Sequence, residues 1–352
     1  MIKRTIVSIL IILVALEVGA RGVRRIYYMN KGGVENKIAD KRYLSPAYPN
    51  QPWVKEMFRE FSTQNPGERI AFVGRRRGEF QGKYINVLPT GLRKTITQKN
   101  DKKVYMFGGS TVWGTGAEDS ATIPSWLSYY LEKYEVTNYG QSGYTFLQEV
   151  MQLILLLRNG HRPDHVVFYD GVNDVYSAYQ QGKISQTQII GVRKWTPKDF
   201  FVRNSVFWRG ILKTLKKIRR IRKVKPRFTE EGHKMSEERR GELAKEIVNN
   251  FEKTKEVIDL LSQEYDFTYT CFWQPTYYTS KQAPLDCPRT KDEALKSLYM
   301  QVTNLLPDWE VDLSNVFPDT FVFIDFCHIS GEGNKIIANN MYKELKKRRM
   351  LK

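Results

Sequence analysis

The chain has 352 residues, 56 Lys and Arg against 38 Asp and Glu, and three cysteines. That length accommodates one sizeable catalytic core with additions, and three cysteines are too few for a disulfide-built scaffold. No phosphate-binding glycine loop or dinucleotide fingerprint occurs, so no cofactor is expected.

Lys3 and Arg4 precede an apolar stretch from Thr5 to Ala20, interrupted by Ser8 and Glu17, and Arg21, Arg24 and Arg25 follow. As a helix this stretch would reach about 24 Å, short of the ~30 Å hydrocarbon core. Snorkelling arginines, with Tyr27 and Tyr28 at the interface, would make up the difference. Residues 1–28 therefore read as a single-pass membrane anchor, with a signal peptide cleaved after Val18-Gly19-Ala20 as the competing reading. Basic residues flank both ends, so charge does not set the orientation; the leader-like start points to an extracytoplasmic catalytic domain. Residues 29–98 read as a linker and accessory segment. Tyr48 to Trp53 leads into a short helix from Val54 to Phe61, and Tyr84 to Thr95 suggests an edge hairpin; both read as structural rather than chemical.

Residues 99–352 read as the catalytic domain. Short apolar runs at 103–107, 135–138, 165–170, 267–273 and 321–324 predict strands. Between them, amphipathic stretches at about 121–133, 145–158, 236–264, 290–304 and 332–347 predict helices. Such alternation implies an α/β fold with a mainly parallel sheet covered on both faces. Functional groups then belong at the carboxyl ends of the strands.

Four blocks fall at those ends, in a fixed order. Phe107-Gly108-Gly109-Ser110-Thr111 places a serine on glycines directly after an apolar strand, where its hydroxyl can be exposed and its N–H can face an anion. Asn138-Tyr139-Gly140-Gln141-Ser142-Gly143 and Gly171-Val172-Asn173-Asp174 follow, and Asp325-Phe326-Cys327-His328 closes the series. A serine hydroxyl does not ionise alone, so attack on an ester requires transfer of its proton to a neutral imidazole. Asp and His three residues apart on one loop can meet, the carboxylate taking the ring N–H that sets the tautomer. Ser330 is positioned to cap the helix that follows.

These blocks resemble the SGNH hydrolases, also called the GDSL esterase/lipase family, across about residues 103–347. The resemblance implies a three-layer α/β/α sandwich of flavodoxin-like type. Within it Ser110 is the nucleophile, His328 the general base and Asp325 its orienting carboxylate. The oxyanion donors it implies are the N–H groups of Ser110 and Gly143 and the side-chain amide of Asn173. Tyr169 to Val175 and Gln274-Pro275 are similar to the membrane-anchored bacterial branch. That branch implies an esterase acting on O-acyl groups, such as acetyl esters of a cell-surface polysaccharide. An O-acyltransferase using the same acyl-enzyme, or a noncatalytic glycan-binding or assembly protein at the membrane, are the alternatives. One departure stands out: the family's Gly-Asp-Ser lacks its aspartate here, where Gly108 and Gly109 precede Ser110.

An insertion at about 178–235 interrupts the family pattern. Between Ala178 and Phe228 it holds fifteen Lys and Arg against one acid, Asp199, so most of the chain's +18 is local. Ile211, Leu212, Leu215, Ile218, Ile221 and Val224 recur there at helical spacing between basic residues. A basic amphipathic helix suits an anionic membrane surface; packing of the apolar stripe on the core, with charges in solvent, is the equal alternative. No nucleic-acid-binding fold or stacking motif accompanies the charge, which argues against a nucleic-acid partner. His161 and His165 flank Asp164 in a loop, a weak pattern for a metal site, and no metal is expected. His233 reads as solvated. A Cys271–Cys287 bridge is compatible with a compartment outside the cytoplasm, leaving Cys327 as a small packed residue.

Overall fold

The computed structural model describes residues 14–23, 40–49, 51–64, 67–184, 231–280, 287–317 and 321–348. The chain divides into two units, Met1–Lys37 with Gly191–Phe228, and Ile38–Ile190 with Thr229–Lys352. In the first, residues 14–23 form a helix, α1. Among the described residues, no helix is long and apolar enough to cross a membrane. Most of the expected anchor and the helical repeat of Ile211 to Val224 lie outside the described residues.

The second unit is built on five parallel strands: β5 (Lys103–Gly108), β6 (Glu135–Asn138), β7 (His165–Asp170), β8 (Thr268–Trp273) and β9 (Val311–Asp312). They lie in the order β6-β5-β7-β8-β9, so the chain reverses its direction of travel across the sheet between β5 and β7. Side chains along each strand alternate between two cores. Val104, Met106, Val167, Tyr169 and Phe272 enter one. Tyr105, Phe107, Val166, Phe168 and Trp273 enter the other. Both faces are therefore buried, which is why these strands read as unbroken apolar runs.

The first core is covered by α4 (Ile123–Tyr130) and α9 (Gly331–Lys347), the second by α5 (Phe146–Arg158), α6 (Val172–Gln181), α7 (Glu237–Tyr265) and α8 (Glu293–Thr303). Local chemistry starts these helices: Thr122 caps α4, Ser236 caps α7, Asp292 caps α8, and Thr145 with Gln148 forms a capping box on α5. Ser330 occupies the N-cap position of α9 but makes no capping bond there. The expected three layers are present.

The accessory segment supplies a third core. In it α2 (Trp53–Thr63) buries Val54, Met57 and Phe58 against Tyr84, Ile85 and Trp113. Glu60 on α2 accepts the N–H groups of Lys83, Tyr84 and Ile85, at 2.7, 3.0 and 3.0 Å. Two short hairpins belong to this segment, β1 (Arg69–Ile70) with β2 (Gly74–Arg75), and β3 (Phe80–Gln81) with β4 (Asn86–Val87). Within the span of the expected edge hairpin, Tyr84 to Thr95, Asn86–Val87 pairs back with β3 and Val87 makes an isolated antiparallel bridge to Arg93, so the segment does not extend the central sheet.

Two boundaries differ from expectation. Phe321 to Ile324 is not a strand of the sheet: β9 is the last, and Phe323 makes an isolated antiparallel bridge to Ile329. The segment folds back on itself instead, Ile324 N–H donating to His328 O and Ser330 N–H to Val322 O. The first residues of the span expected to be an insertion, from 178, are also still helix: Ala178 and Tyr179 are buried in α6, which ends where Gly182 turns left-handed.

Candidate active site

β5 ends at Gly108, and the chain turns at once into α3 (Ser110–Trp113), a single helical turn stopped by Gly114. Ser110 is therefore the first residue of a short helix, with its N–H pointing out of the turn as first-turn donors do. At the far end of the chain the fold-back closed by Phe323 and Ile329 carries Asp325 and His328 at its tip. His328 Nε2 lies 2.7 Å from Ser110 Oγ, and His328 Nδ1 lies 2.7 Å from Asp325 Oδ2. Ser110 thus joins, across 218 positions, a histidine and an aspartate that are three residues apart, and the three form one hydrogen-bonded chain.

The second carboxylate oxygen, Asp325 Oδ1, accepts the backbone N–H groups of Cys327 at 3.0 Å and His328 at 2.8 Å. Burial alone would raise this carboxyl, but the His328 ring and the Arg42 guanidinium hold it well below the usual carboxylate range. An ionised Asp325 accepts from Nδ1–H, which leaves Nε2 as the acceptor facing the Ser110 hydroxyl. That arrangement can take the serine proton.

The remaining predicted residues stand at the same strand ends. Gln141 N–H donates to Gly108 O at 2.9 Å, tying the Gln141–Tyr144 turn to the end of β5. Gly143 in that turn has φ of 81°, a left-handed conformation that favours glycine. Asn173, in the first turn of α6, donates from Nδ2 to Tyr144 O at 2.7 Å, and this fixes its amide beside Gly109. Among the described residues, the N–H groups of Ser110 and Gly143 find no acceptor.

Further neighbours join the site, of which the sequence singled out only Gln274, as part of the resemblance and without a role. Gln274, at the end of β8, accepts from Thr111 Oγ1 at 3.4 Å and donates to Cys327 O at 3.2 Å, bridging the residues next to Ser110 and His328. Arg77 donates to Ser142 Oγ at 3.1 Å and lies over Trp113, 4.2 Å from the ring centroid. Arg42, in a short 3₁₀ turn at Arg42–Leu44, donates to Asp325 Oδ2 at 3.1 Å. Nothing in the spacing of residues points to Arg42, because its partner is 283 positions away.

Other reactive groups are engaged elsewhere. His165 is buried, with its nitrogens 2.7 Å from Thr268 Oγ1 and 3.3 Å from Thr270 Oγ1, and burial pushes it down to about 3. Asp164 accepts the Lys103 N–H at 2.7 Å, so these residues do not assemble a metal cradle with the exposed His161. His233 is not simply solvated: its Nδ1 is 3.0 Å from the Tyr179 hydroxyl. Cys271, Cys287 and Cys327 are all free, so the 271–287 bridge does not form. Donor atoms of Asp325, Cys327 and His328 lie within 4.8 Å of one another. Oδ2 and Nδ1 are already bonded to each other with a guanidinium alongside, so the group is a hydrogen-bonded pair and not a cation site.

Residues 104–341 match the family described as GDSL-like Lipase/Acylhydrolase. Among solved structures, the chain is similar to the acetyl xylan esterase AlAXEase, at 16% identity over 69% of this chain and 99% of that one, with a TM-score of 0.39. It is also similar to an acetylxylan esterase from Geobacillus stearothermophilus, at 15% identity over 72% of this chain and 96% of that one, with a TM-score of 0.34. A member of the lipolytic G-D-S-L family from Veillonella parvula DSM 2008 shares 10% identity over 70% of this chain and 98% of that one, with a TM-score of 0.38. No curated protein matches the chain. The family match spans well over half of the sequence, so the chain belongs to the GDSL-like lipase/acylhydrolase family and is an ester-hydrolysing enzyme.

Proposed function

We propose that the protein hydrolyses an O-acyl ester through an acyl-enzyme on Ser110. The observation that carries this reading is the continuous chain from Ser110 Oγ through the His328 ring to Asp325, with 2.7 Å at each step. Ser110 Oγ attacks the ester carbonyl as its proton passes to His328 Nε2. The oxyanion is met by the N–H groups of Ser110 and Gly143 and the Asn173 amide. The C–O bond to the alcohol then breaks, and the departing oxygen takes the proton from His328. Water repeats the sequence on the acyl-enzyme and releases the acid. Asp325 stays ionised throughout and stabilises the imidazolium.

Activity-based labelling tests this directly. Wild-type protein is expected to react with a fluorophosphonate and to cleave short acyl esters, and Ser110→Ala to do neither. Equal ester cleavage by wild type, Ser110→Ala and His328→Ala would sink the proposal.

The finer reading is an esterase of O-acetyl groups on a cell-surface glycan, held near a membrane on its extracytoplasmic side. It rests on the apolar Thr5–Ala20 stretch, the basic residues between Lys183 and Arg227, and the likeness to the membrane-anchored branch. Removing residues 200–227 should weaken binding to anionic vesicles, with wild-type binding decreasing as salt rises. Binding that ignores both the deletion and salt removes the membrane-surface part. Acetyl transfer to an oligosaccharide faster than hydrolysis would assign the same acyl-enzyme to a transferase.

A further inference from the structure

Asp325 has four hydrogen-bond donors around two oxygens, which is about the full acceptor capacity of a carboxylate. Three belong to its own loop: the N–H groups of Cys327 and His328 on Oδ1, and the His328 ring on Oδ2. The fourth is Arg42 Nη1, on Oδ2 at 3.1 Å. Arg42 comes from outside the family-matched residues 104–341.

Its placement is built rather than incidental. The Asp40 carboxylate takes Arg42 Nε at 3.0 Å and Nη2 at 2.7 Å, so the guanidinium plane is clamped from behind. Phe58 and Phe61 of α2 face it, with ring centroids 5.5 and 5.3 Å away. The segment itself is tied to both halves of the site. Ser45 Oγ donates to Phe323 O at 3.1 Å beside the His328 turn, and the Tyr48 hydroxyl donates to Gly116 O at 2.5 Å just after α3.

Building on the reading of Ser110, His328 and Asp325 as a triad, we propose that Arg42 is a positioning residue of the hydrolytic site. It holds Asp325 against the imidazole and sets how strongly that carboxylate grips the ring once it is protonated. The accessory segment thus supplies part of the machinery. Two charges work in opposite directions here. The guanidinium weakens the pull of Asp325 on an imidazolium, and Asp40 partly neutralises the guanidinium. The other titratable groups around Asp325 are the Cys327 thiol on its own loop and the Tyr48 hydroxyl from the Arg42 segment.

The test compares full-length wild type, Arg42→Gln, Arg42→Lys and Asp40→Asn by kcat, KM, fluorophosphonate labelling rate and the pH profile of kcat/KM on a short acyl ester. Arg42→Gln is expected to lower kcat and the labelling rate on the order of tenfold through a misplaced base, with KM little changed. Its acid limb should move to higher pH by about half a unit or more, because the carboxylate grips the protonated ring harder. Asp40→Asn should move that limb the opposite way. Arg42→Lys, which keeps the charge without the fork, should hold the limb near wild type while losing rate. If Arg42→Gln does not fold, a limb moved to lower pH in Asp40→Asn together with a lost rate at an unmoved limb in Arg42→Lys decides the matter. Limbs of Arg42→Gln and Asp40→Asn that coincide with wild type, or losses in any of the variants that track only the folded fraction in a thermal melt, overturn the inference. A wild type that neither labels nor cleaves esters overturns the triad reading instead, so the two failures are distinguishable.

Discussion

Gly109 and Asn173 share one small space: a Cβ added at position 109 would come within 3.0 Å of Asn173 Nδ2. The absent aspartate at this position therefore has a physical correlate. In this chain the asparagine amide occupies room next to the nucleophile turn that a side chain at 109 would need. Gly109→Asp should displace the amide and lower kcat/KM about 10²-fold or more, with Gly109→Ala also impaired. Steady-state kinetics on a short acyl ester checks this; a Gly109→Asp enzyme at wild-type rate removes the steric argument.

Asn173 itself is predicted to act on the transition state. Asn173→Ala should lower kcat about 10²- to 10³-fold with little change in KM, the signature of a lost oxyanion donor. An effect confined to KM would place the amide in substrate binding instead.

Arg93 and Asp119 form a buried ion pair at 2.6 Å behind the nucleophile turn. The guanidinium also donates to Ala117 O at 2.9 Å and stacks 4.6 Å from the Trp113 ring centroid in α3. Removing one partner leaves the other charged and buried, so Arg93→Met should destabilise the fold by about 3–5 kcal/mol. A lower urea midpoint at unchanged slope is the expected result.

Buried acids predict a stability that falls as pH rises. Burial raises Asp174 to about 7, against the lowering effect of the Phe146 N–H, and raises Glu310 to about 8, reinforced by Asp174. Burial likewise pushes Glu149 and Asp170 well above their ordinary values. For these groups the folded state holds protons that the unfolded chain releases near pH 4. The contribution of Asp174 and Glu310 is fully present below that range and is lost as pH rises through about 7 to 8, and Glu149 and Asp170 act in the same direction. Asp325 works in the opposite sense at the acid end, its contribution disappearing as pH falls below the ordinary carboxylate range. Urea midpoints should therefore drop between pH 5.5 and 8.5, and Glu310→Gln should flatten that slope.

Much of the site was legible because each block is local. Ser110 after β5, Asn173 after β7, and Asp325 three residues before His328 are short patterns whose neighbours along the chain dictate the turn. Four of the five strands were legible too, since strands such as β7 are apolar on both faces; the two-residue β9, Val311–Asp312, is too short to carry such a pattern. The final stretch misled for the same reason: Phe321 to Ile324 is apolar enough for a strand, but its bonds close a fold-back that lifts Asp325 and His328 toward Ser110.

The amino-acid sequence by itself determined the parallel α/β architecture and the family, and it singled out Ser110, Asp325 and His328 as candidates. Periodicity, capping and short motifs are properties of consecutive residues, and they survive without knowledge of contacts. Only the tertiary structure decided that Arg42 completes the shell of Asp325, that Gln274 bridges the turns of serine and histidine, and that Gly109 leaves room for Asn173. Each of these relations joins positions that no local pattern connects, because it arises from how separate elements dock and not from what any one of them prefers.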